Sequence, residues 1–123
     1  TINKAFRIRK MLGGGTRQAG HLAAAGLYAL DHHVDRLAED HLRAERIGKG
    51  LSDITGLEVK QASNMLWITP PSELHASLCE CLEEMNVKVI PWNPTMRIVT
   101  HLDIDDSHAD YLVQVFQDFF SSL

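Results

Sequence analysis

The sequence predicts an α+β fold in which helices pack against a small antiparallel or mixed sheet. Three observations support this prediction. The chain has 123 residues, 45% of them hydrophobic, which is enough for one real core. Short apolar runs typical of strands cover 57–61, 64–69, 87–90 and 96–102. Longer segments with apolar residues near the helical period predict helices at 2–12, 18–30, 31–52, 70–86 and from Ser107 onward.

Helix boundaries follow from residues that favour a start or a stop. Gly13-Gly14-Gly15 ends the first helix, and Thr16 is a plausible N-cap for the second. Asn86 ends the helix that begins near Pro70. Ser107 and Asp110 resemble a capping box at the start of the last helix. The predicted order is therefore α-α-α-β-β-α-β-β-α.

The chain is expected to consist of two parts, residues 1–30 and residues 31–123. Residues 18–30 are mostly alanine and glycine, so several faces of that helix are smooth. Such a helix suits close packing on several sides, and we expect it to lie against another subunit or another part of a longer protein. Residues 31–123 are expected to form the compact α+β domain.

Composition and charge exclude several classes of protein. The apolar fraction is too high for disorder, and no apolar stretch reaches the ~20 residues that a membrane helix needs. Residues 1–17 carry a net charge of +5, whereas residues 18–123 carry −9. The acidic remainder would repel a nucleic acid, so a small-anion site explains the basic segment better. Cys79 and Cys81 point apart on a helix, which predicts no disulfide between them and a reducing, cytoplasmic setting.

No metal site is predicted. Histidines and carboxylates crowd residues 31–41, but His33 and His41 are two turns apart and form a poor chelate. A solvated helix face with charge pairs such as Arg36 with Asp40 is the favoured interpretation. The two cysteines lack the second cluster that a zinc site requires.

Two candidate sites remain. The first is the segment from Gly13 to Gln18, where flexible glycines, a helix start and Arg17 come together, as a phosphate site requires. A plain helix–helix turn with a surface arginine is its alternative. The second is Arg97, on a strand with Met96 and Ile98. It either makes an ordinary ion pair or emerges at a cleft and binds a carboxylate through two parallel hydrogen bonds.

The motifs of this chain resemble those of the low-specificity L-threonine aldolase family. Two segments carry specific motifs: 9–20 with 22–26, and 96–103. The segments 36–41, 55–57 and 64–65 match more weakly. Thr16 departs from the methionine usual in the family. The resemblance implies the C-terminal small domain of a pyridoxal-phosphate enzyme of the aspartate-aminotransferase fold, preceded by interface helices. It also implies a homotetramer or homodimer.

The resemblance further implies the site residues. Arg17 corresponds to an arginine that reaches a cofactor phosphate in a neighbouring subunit, and Lys10 to a lysine near the active site. Arg97 corresponds to the arginine that binds the substrate α-carboxylate. The lysine that holds the cofactor covalently, and the catalytic histidines, are expected upstream of this sequence. No catalytic residue is therefore assigned here, and the 123-residue chain alone is expected to be inactive.

The activity implied is retro-aldol cleavage of L-threonine or L-allo-threonine to glycine and acetaldehyde. Two alternatives stay open at this stage. Another reaction on the same cofactor is compatible with the same fold, such as β-elimination or transamination. A non-catalytic binding module is the other alternative, although the smooth helix 18–30 disfavours it.

Overall fold

A computed structural model describes residues 1–123, and these residues form two compact units. The first unit is Thr1–Asp35 and the second is Arg36–Leu123. The boundary predicted between residues 30 and 31 lies inside the second helix. No helix of the chain combines the length and the apolar character needed to cross a membrane.

The first unit contains the helices α1 (Ile2–Met11) and α2 (Gly20–His32). The glycine run ends α1 through a Schellman motif: the amide of Gly14 donates to the carbonyl of Arg9 at 2.8 Å, and that of Gly13 donates to Lys10 at 3.3 Å. Gly13 has a φ of +88°, a conformation that favours glycine. The predicted N-cap at Thr16 is wrong, because α2 begins at Gly20 with no side-chain cap.

Both helices of the first unit have amphipathic or apolar surfaces that this chain leaves uncovered. Neither α1 nor α2 contains a buried residue. The exposed large apolar side chains of α2 are Leu22, Leu27, Tyr28 and Leu30. The close packing expected for the helix at 18–30 is therefore not made within the first unit, and it remains a prediction.

The second unit confirms the predicted α+β class. Its elements are α3 (Leu37–Ser52), β1 (Glu58–Ala62), β2 (Met65–Thr69), α4 (His75–Glu84), β3 (Met96–Val99) and α5 (Asp106–Ser121). The three strands form one antiparallel sheet in the order β1-β2-β3. Sequence alternation sets the two faces of this sheet. In β2, Leu66 and Ile68 are fully buried, whereas Met65, Trp67 and Thr69 are only partly buried.

The core lies between the inner face of the sheet and the helices. Helices α3, α4 and α5 each contribute side chains to it, with Phe116 of α5 the largest fully buried one. Helices α3 and α5 approach each other closely at Gly50 of α3. A Cβ atom there would lie 2.6 Å from a methyl carbon of Val113 on α5, so glycine is what allows these two helices to touch.

Three further local predictions are wrong. The helix expected over 31–52 is interrupted by a turn at 33–36. The sequence did not reveal this turn, because no proline or glycine lies between α2 and α3. The strand expected at 87–90 is not a strand: Val87 and Val89 pack against the core by their side chains, and only Ile90 pairs with β3. The third error concerns the start of α5.

The capping box of α5 is formed by different residues from those predicted. The carboxylate of Asp105 accepts from the amide of His108 at 2.9 Å, and Nδ1 of His108 accepts from the amide of Asp105 at 3.2 Å. Ser107 instead donates its hydroxyl to Asp105 at 2.7 Å. These hydrogen bonds lower the pKa of Asp105, with the Ser107 hydroxyl as the largest contribution.

Candidate functional site

Arg97 lies on the outer face of the sheet, on the edge strand β3. Its neighbours in sequence, Met96 and Ile98, belong to the opposite face, where Met96 is fully buried. Directly across the strand pair, Arg97 is in register with Trp67 of β2. Side chains in register on one face of an antiparallel pair are neighbours, so Trp67 flanks Arg97 on the outer face.

A second tryptophan contacts the head group of Arg97. The guanidinium carbon of Arg97 lies 4.7 Å from the centroid of the Trp92 ring, which is cation–π distance. The side chain of Arg97 makes no ion pair, and its Nε is buried without a hydrogen-bond partner. Arginine in this state retains unused N–H groups in a planar arrangement suited to a carboxylate.

A cleft of about 650 Å³ lies between β3, the segment 85–90 and α5. Arg97 is among its lining residues, together with the segment 85–90 and the first turns of α5. The other cationic or titratable side chains at the cleft are Lys88, His101, Asp103, His108 and Tyr111. The cleft is large enough for a small amino acid, and most of its walls are aliphatic.

The backbone ties Trp92 to Arg97. Ile90 and Arg97 form an antiparallel bridge, with Arg97 N–H donating to the Ile90 carbonyl at 3.1 Å. The same carbonyl accepts from the amide of Trp92 at 3.0 Å. At the far end of this connection, the hydroxyls of Thr95 and Thr69 hydrogen-bond at 3.0 Å. The loop that carries Trp92 is therefore anchored on both sides.

Lys10 and Arg17 lie around the glycine run of the first unit. A Cβ atom on Gly15 would be 2.8 Å from Cγ of Lys10, so the lysine side chain packs directly over this backbone. At Gly14 a Cβ would meet the carbonyl oxygen of Arg9 at 2.9 Å. Neither Lys10 nor Arg17 has a hydrogen-bonded or ion-paired partner among residues 1–123. Lys10 and Arg17 therefore flank the glycine run without an ion-paired carboxylate.

The structure brings Lys10 next to the glycine run that precedes Arg17, and it places Arg97 in the other unit. The phosphate site predicted at residues 13–18 lacks the helix N-terminus that was expected there, because α2 begins at Gly20. The glycines, Lys10 and Arg17 still support that prediction. The assignments of Lys10, Arg17 and Arg97 to ligands therefore remain predictions.

The acidic and histidine-rich segment 31–41 is mostly solvent-exposed, as expected, except at Asp40. Arg36 and Asp40 form the predicted pair, with two hydrogen bonds of 2.8 and 3.0 Å, but Asp40 is only 2% exposed. Asp40 is therefore a buried structural carboxylate. No group of three or more histidine, cysteine, aspartate or glutamate side chains in residues 1–123 is arranged to hold a metal ion.

Cys79 and Cys81 are partly buried residues of α4, as predicted. Cys79 Sγ lies 3.9 Å from Nδ1 of His75, whose Nε2 is buried without a partner. Burial, and to a lesser degree the charge of Glu80, raises the pKa of the Cys79 thiol. A thiol with a raised pKa is a weak nucleophile, so this pair is not suited to covalent catalysis.

Sequence reasoning missed both tryptophans of the site. Trp67 could have been found, because strand alternation places it on the face opposite Leu66 and Ile68. Trp92 lies in a loop, where no periodicity indicates which way a side chain points. Its contact with Arg97 depends on the Ile90 bridge, which the sequence does not reveal.

Comparison with known families decides what kind of protein carries this arrangement. The family described as beta-eliminating lyase matches residues 1–69, more than half of the chain. The chain belongs to the beta-eliminating lyase family. The matched residues include the glycine run with Lys10 and Arg17, and the first two strands of the sheet.

Several proteins similar in sequence to this chain are named as low-specificity L-threonine aldolases. The chain is 45% identical over 103 residues to the low specificity L-threonine aldolase of Escherichia coli strain K12, covering 84% of this chain and 31% of that protein. It is 38% identical over 128 residues to the probable low-specificity L-threonine aldolase 2 of Arabidopsis thaliana, covering 98% and 36%. The corresponding probable enzyme of Schizosaccharomyces pombe is 36% identical over 117 residues.

These comparisons also show how much of each relative the chain covers. The chain spans about a third of the length of the curated relatives it matches. The family resemblance seen in the sequence motifs is confirmed, since relatives named as low-specificity threonine aldolases match along most of this chain.

Proposed function

We propose that this chain forms the small-domain part of a pyridoxal-phosphate-dependent threonine aldolase. The reaction cleaves L-threonine or L-allo-threonine into glycine and acetaldehyde. In this proposal Arg97 binds the α-carboxylate of the amino acid, while Arg17 and Lys10 bind the cofactor phosphate. The rest of the subunit, in a homodimer or homotetramer, completes the active site.

The observation that carries the proposal is the state of Arg97. A partly buried guanidinium without an acidic partner costs solvation free energy, and its Nε is buried without a hydrogen bond. A bound carboxylate would satisfy it through two parallel hydrogen bonds, each worth about 1.5–3 kcal/mol when charged. The open cleft beside it has room for a small amino acid.

The residues of the first unit fit the phosphate of the cofactor. Lys10 and Arg17 supply two positive charges with no partner, and Gly13 to Gly15 keep the backbone bare of side chains between them. A phosphate group suits such a set, because arginine offers paired donors and lysine a compact charge. Carboxylates are absent from residues 1–17, so nothing there competes for the cations.

The contribution of this chain to the reaction is binding and orientation. When bound, pyridoxal phosphate supplies the electron sink that accepts the electron pair of the breaking Cα–Cβ bond. Arg97, by holding the carboxylate, fixes the rotation of the amino acid about Cα and selects which bond is aligned for cleavage.

An assay of the natural gene product that contains this chain tests the activity. We expect threonine to yield glycine and acetaldehyde in equal amounts when pyridoxal phosphate is present. Absence of acetaldehyde from a protein that retains its cofactor would overturn the proposal.

Cofactor retention tests Arg17 and Lys10 without relying on turnover. Arg17→Ala and Lys10→Ala should each weaken pyridoxal phosphate binding by about 10-fold or more, as expected for loss of a charged hydrogen bond. Cofactor released by alkali and measured by absorbance gives the occupancy. Lys4→Ala, a lysine of α1 at the other end of the helix, is the matched control.

The family description supports a second candidate function. β-Elimination from serine would remove the proton on Cα and release water from Cβ, leaving the Cα–Cβ bond intact, and hydrolysis of the resulting enamine would yield pyruvate and ammonia. Both reactions require the same carboxylate contact at Arg97. Product analysis with serine and with threonine separates them, since only the aldolase releases an aldehyde.

A further inference from the structure

We propose that Trp92 is a positioning residue for Arg97, and that it determines how tightly the site binds the carboxylate of its substrate. This inference rests on the proposed function of Arg97. Trp92 does not touch the reacting atoms; it acts by holding the guanidinium plane against its ring.

The contact itself is the first support. The guanidinium carbon lies 4.7 Å from the ring centroid of Trp92, and this aromatic ring is the principal partner of an otherwise unpaired head group. The cation–π contact gives the guanidinium no hydrogen-bond acceptor, so its N–H donors stay available to a ligand. A carboxylate binds through those donors and does not need to displace the ring.

The backbone is the second support, because it fixes the ring relative to the arginine. The carbonyl of Ile90 accepts hydrogen bonds from the amides of both Trp92 and Arg97, at 3.0 and 3.1 Å. One atom thus serves as the common anchor of the two residues. The hydroxyl pair of Thr69 and Thr95 holds the opposite end of the loop.

Trp67 is the second tryptophan near this arginine. It is the cross-strand partner of Arg97 in the sheet and is partly buried. Both tryptophans of the chain therefore lie near Arg97, Trp67 through strand register and Trp92 through the loop. An arginine side chain that already lies against a ring loses less rotamer freedom when it binds a ligand, which lowers the entropic cost of binding.

The decisive comparison is Trp92→Leu against Trp92→Phe in the natural gene product with its cofactor bound. Leucine keeps apolar bulk but removes the ring, whereas phenylalanine keeps an aromatic face. We expect Trp92→Leu to raise KM for threonine, and the dissociation constant for glycine measured by calorimetry, about 3- to 30-fold. Because Trp92 does not touch the reacting atoms, kcat should change by less than about 2-fold, and Trp92→Phe should restore most of the affinity.

Asn93→Ala is the matched control, since it alters the neighbouring residue of the same loop without touching the ring. It should leave KM and kcat unchanged. If Trp92→Leu does not fold, a fluorinated tryptophan at position 92 serves instead. It keeps the shape of the ring while weakening its negative face, and KM should then rise in step with fluorination.

The outcomes separate this inference from the proposed function. If Arg97→Lys raises KM but Trp92→Leu and the fluorinated ring do not, Arg97 binds the substrate and the positioning role of Trp92 is wrong. If Arg97→Lys leaves both KM and glycine binding unchanged, the proposed role of Arg97 is wrong, and the inference about Trp92 is overturned with it. A fall in kcat without a change in glycine affinity would also overturn the inference.

Discussion

The hydroxyl of Thr100 donates a 2.7 Å hydrogen bond to the main-chain carbonyl of Asp40, joining the end of β3 to the first turn of α3. Thr100 is 1% exposed, and its amide donates to the carbonyl of Asn64 at 2.9 Å. The side-chain amide of Asn64 (Nδ2) donates to the main-chain carbonyl of Thr100 at 2.8 Å. Three residues close in space but distant in sequence thus satisfy one another in a buried region.

Replacing Thr100 by valine tests this network. Valine keeps the volume but removes the donor, and it leaves the carbonyl of Asp40 without this hydrogen bond. We expect a loss of about 1–3 kcal/mol in the free energy of unfolding. Thermal or denaturant unfolding measures it, with Thr100→Ser as the variant that retains the hydroxyl. A valine variant as stable as the parent would show that the hydrogen bond contributes nothing.

Gly50 gives a prediction about helix packing. Alanine at this position places its Cβ 2.6 Å from the Val113 side chain, so α3 and α5 must separate or Val113 must move. We expect Gly50→Ala to destabilise the protein by about 1–3 kcal/mol. The shift of the unfolding midpoint measures it, and adding Val113→Ala should recover part of the loss.

Gly48→Ala is the control for the Gly50 experiment. A Cβ atom on Gly48 would make an ordinary 3.5 Å contact with Leu66, and alanine is the better helix former by roughly 0.5–1 kcal/mol. This variant should be as stable as the parent or more so. Equal destabilisation at both positions would contradict the close approach of α3 and α5.

Arg97→Lys tests the carboxylate contact. Lysine keeps the charge but lacks the planar fork of donors. In the natural gene product we expect kcat/KM for threonine to fall by about 10- to 1000-fold, at ~1.4 kcal/mol per decade. Retention of pyridoxal phosphate should be nearly unchanged, because Lys10 and Arg17 are assigned to its phosphate.

The opposite pattern in the Arg97 variant would be equally informative. Loss of pyridoxal phosphate with normal turnover per bound cofactor would exchange the roles of Arg97 and Arg17. A change in thermal stability alone would make Arg97 an ordinary structural residue of the strand.

The lysines of this chain give a prediction about the isolated 123-residue polypeptide. They are Lys4, Lys10, Lys49, Lys60 and Lys88, and none has the serine–lysine–glycine context expected for the covalent cofactor lysine. Lys49 pairs with Glu45 at 2.7 Å and Lys60 with Glu58 at 2.8 Å. Incubation with pyridoxal phosphate, borohydride reduction and peptide mapping should show no single labelled lysine. Specific labelling together with threonine cleavage would refute this.

The start of α5 gives a prediction about pH. Hydrogen bonds from the Ser107 hydroxyl and the His108 amide hold the pKa of Asp105 below its ordinary value. A carboxylate with a lowered pKa stabilises the fold above its unfolded pKa, and this stabilisation disappears as pH falls through the folded value. Asp105→Ala should therefore lower the melting temperature at pH 7 and make less difference in strong acid. An Asp105→Ala effect that is the same at pH 7 and pH 2 would contradict it.

The sequence predicted the fold class and most of the regular elements, because those depend on local patterns. Alternation along 64–69 and helical periodicity near Leu112 and Phe116 each set a buried face. Predictions failed where the outcome depends on contacts between distant residues. Val87 and Val89 have strand-like residue types, yet they pack by side chains alone because β3 pairs only with β2 and Ile90.

The candidate site divides in the same way. Arg97 was identified from its motif and its strand, Arg17 from its charge beside the glycine run, and Lys10 from the family resemblance alone. The stacked partner of Arg97 was not, since Trp92 reaches it only through the loop that Ile90 and Thr95 hold in place. The motif 96–103 contains two kinds of residue. Thr100 stabilises the fold through its hydrogen bond to the Asp40 carbonyl, whereas the Nε of Arg97 has no hydrogen-bond partner.

The position of α5 has a consequence for synthesis on the ribosome. Phe116 fills the centre of the core, and Arg43 of α3 pairs with Asp106 at 2.9 Å across a separation of 63 residues. The apolar surfaces of α3 and of the sheet therefore remain open until α5 has left the exit tunnel. During that interval the nascent chain exposes hydrophobic surface of the kind that chaperones bind, and the emergence of α5 determines when this surface is covered.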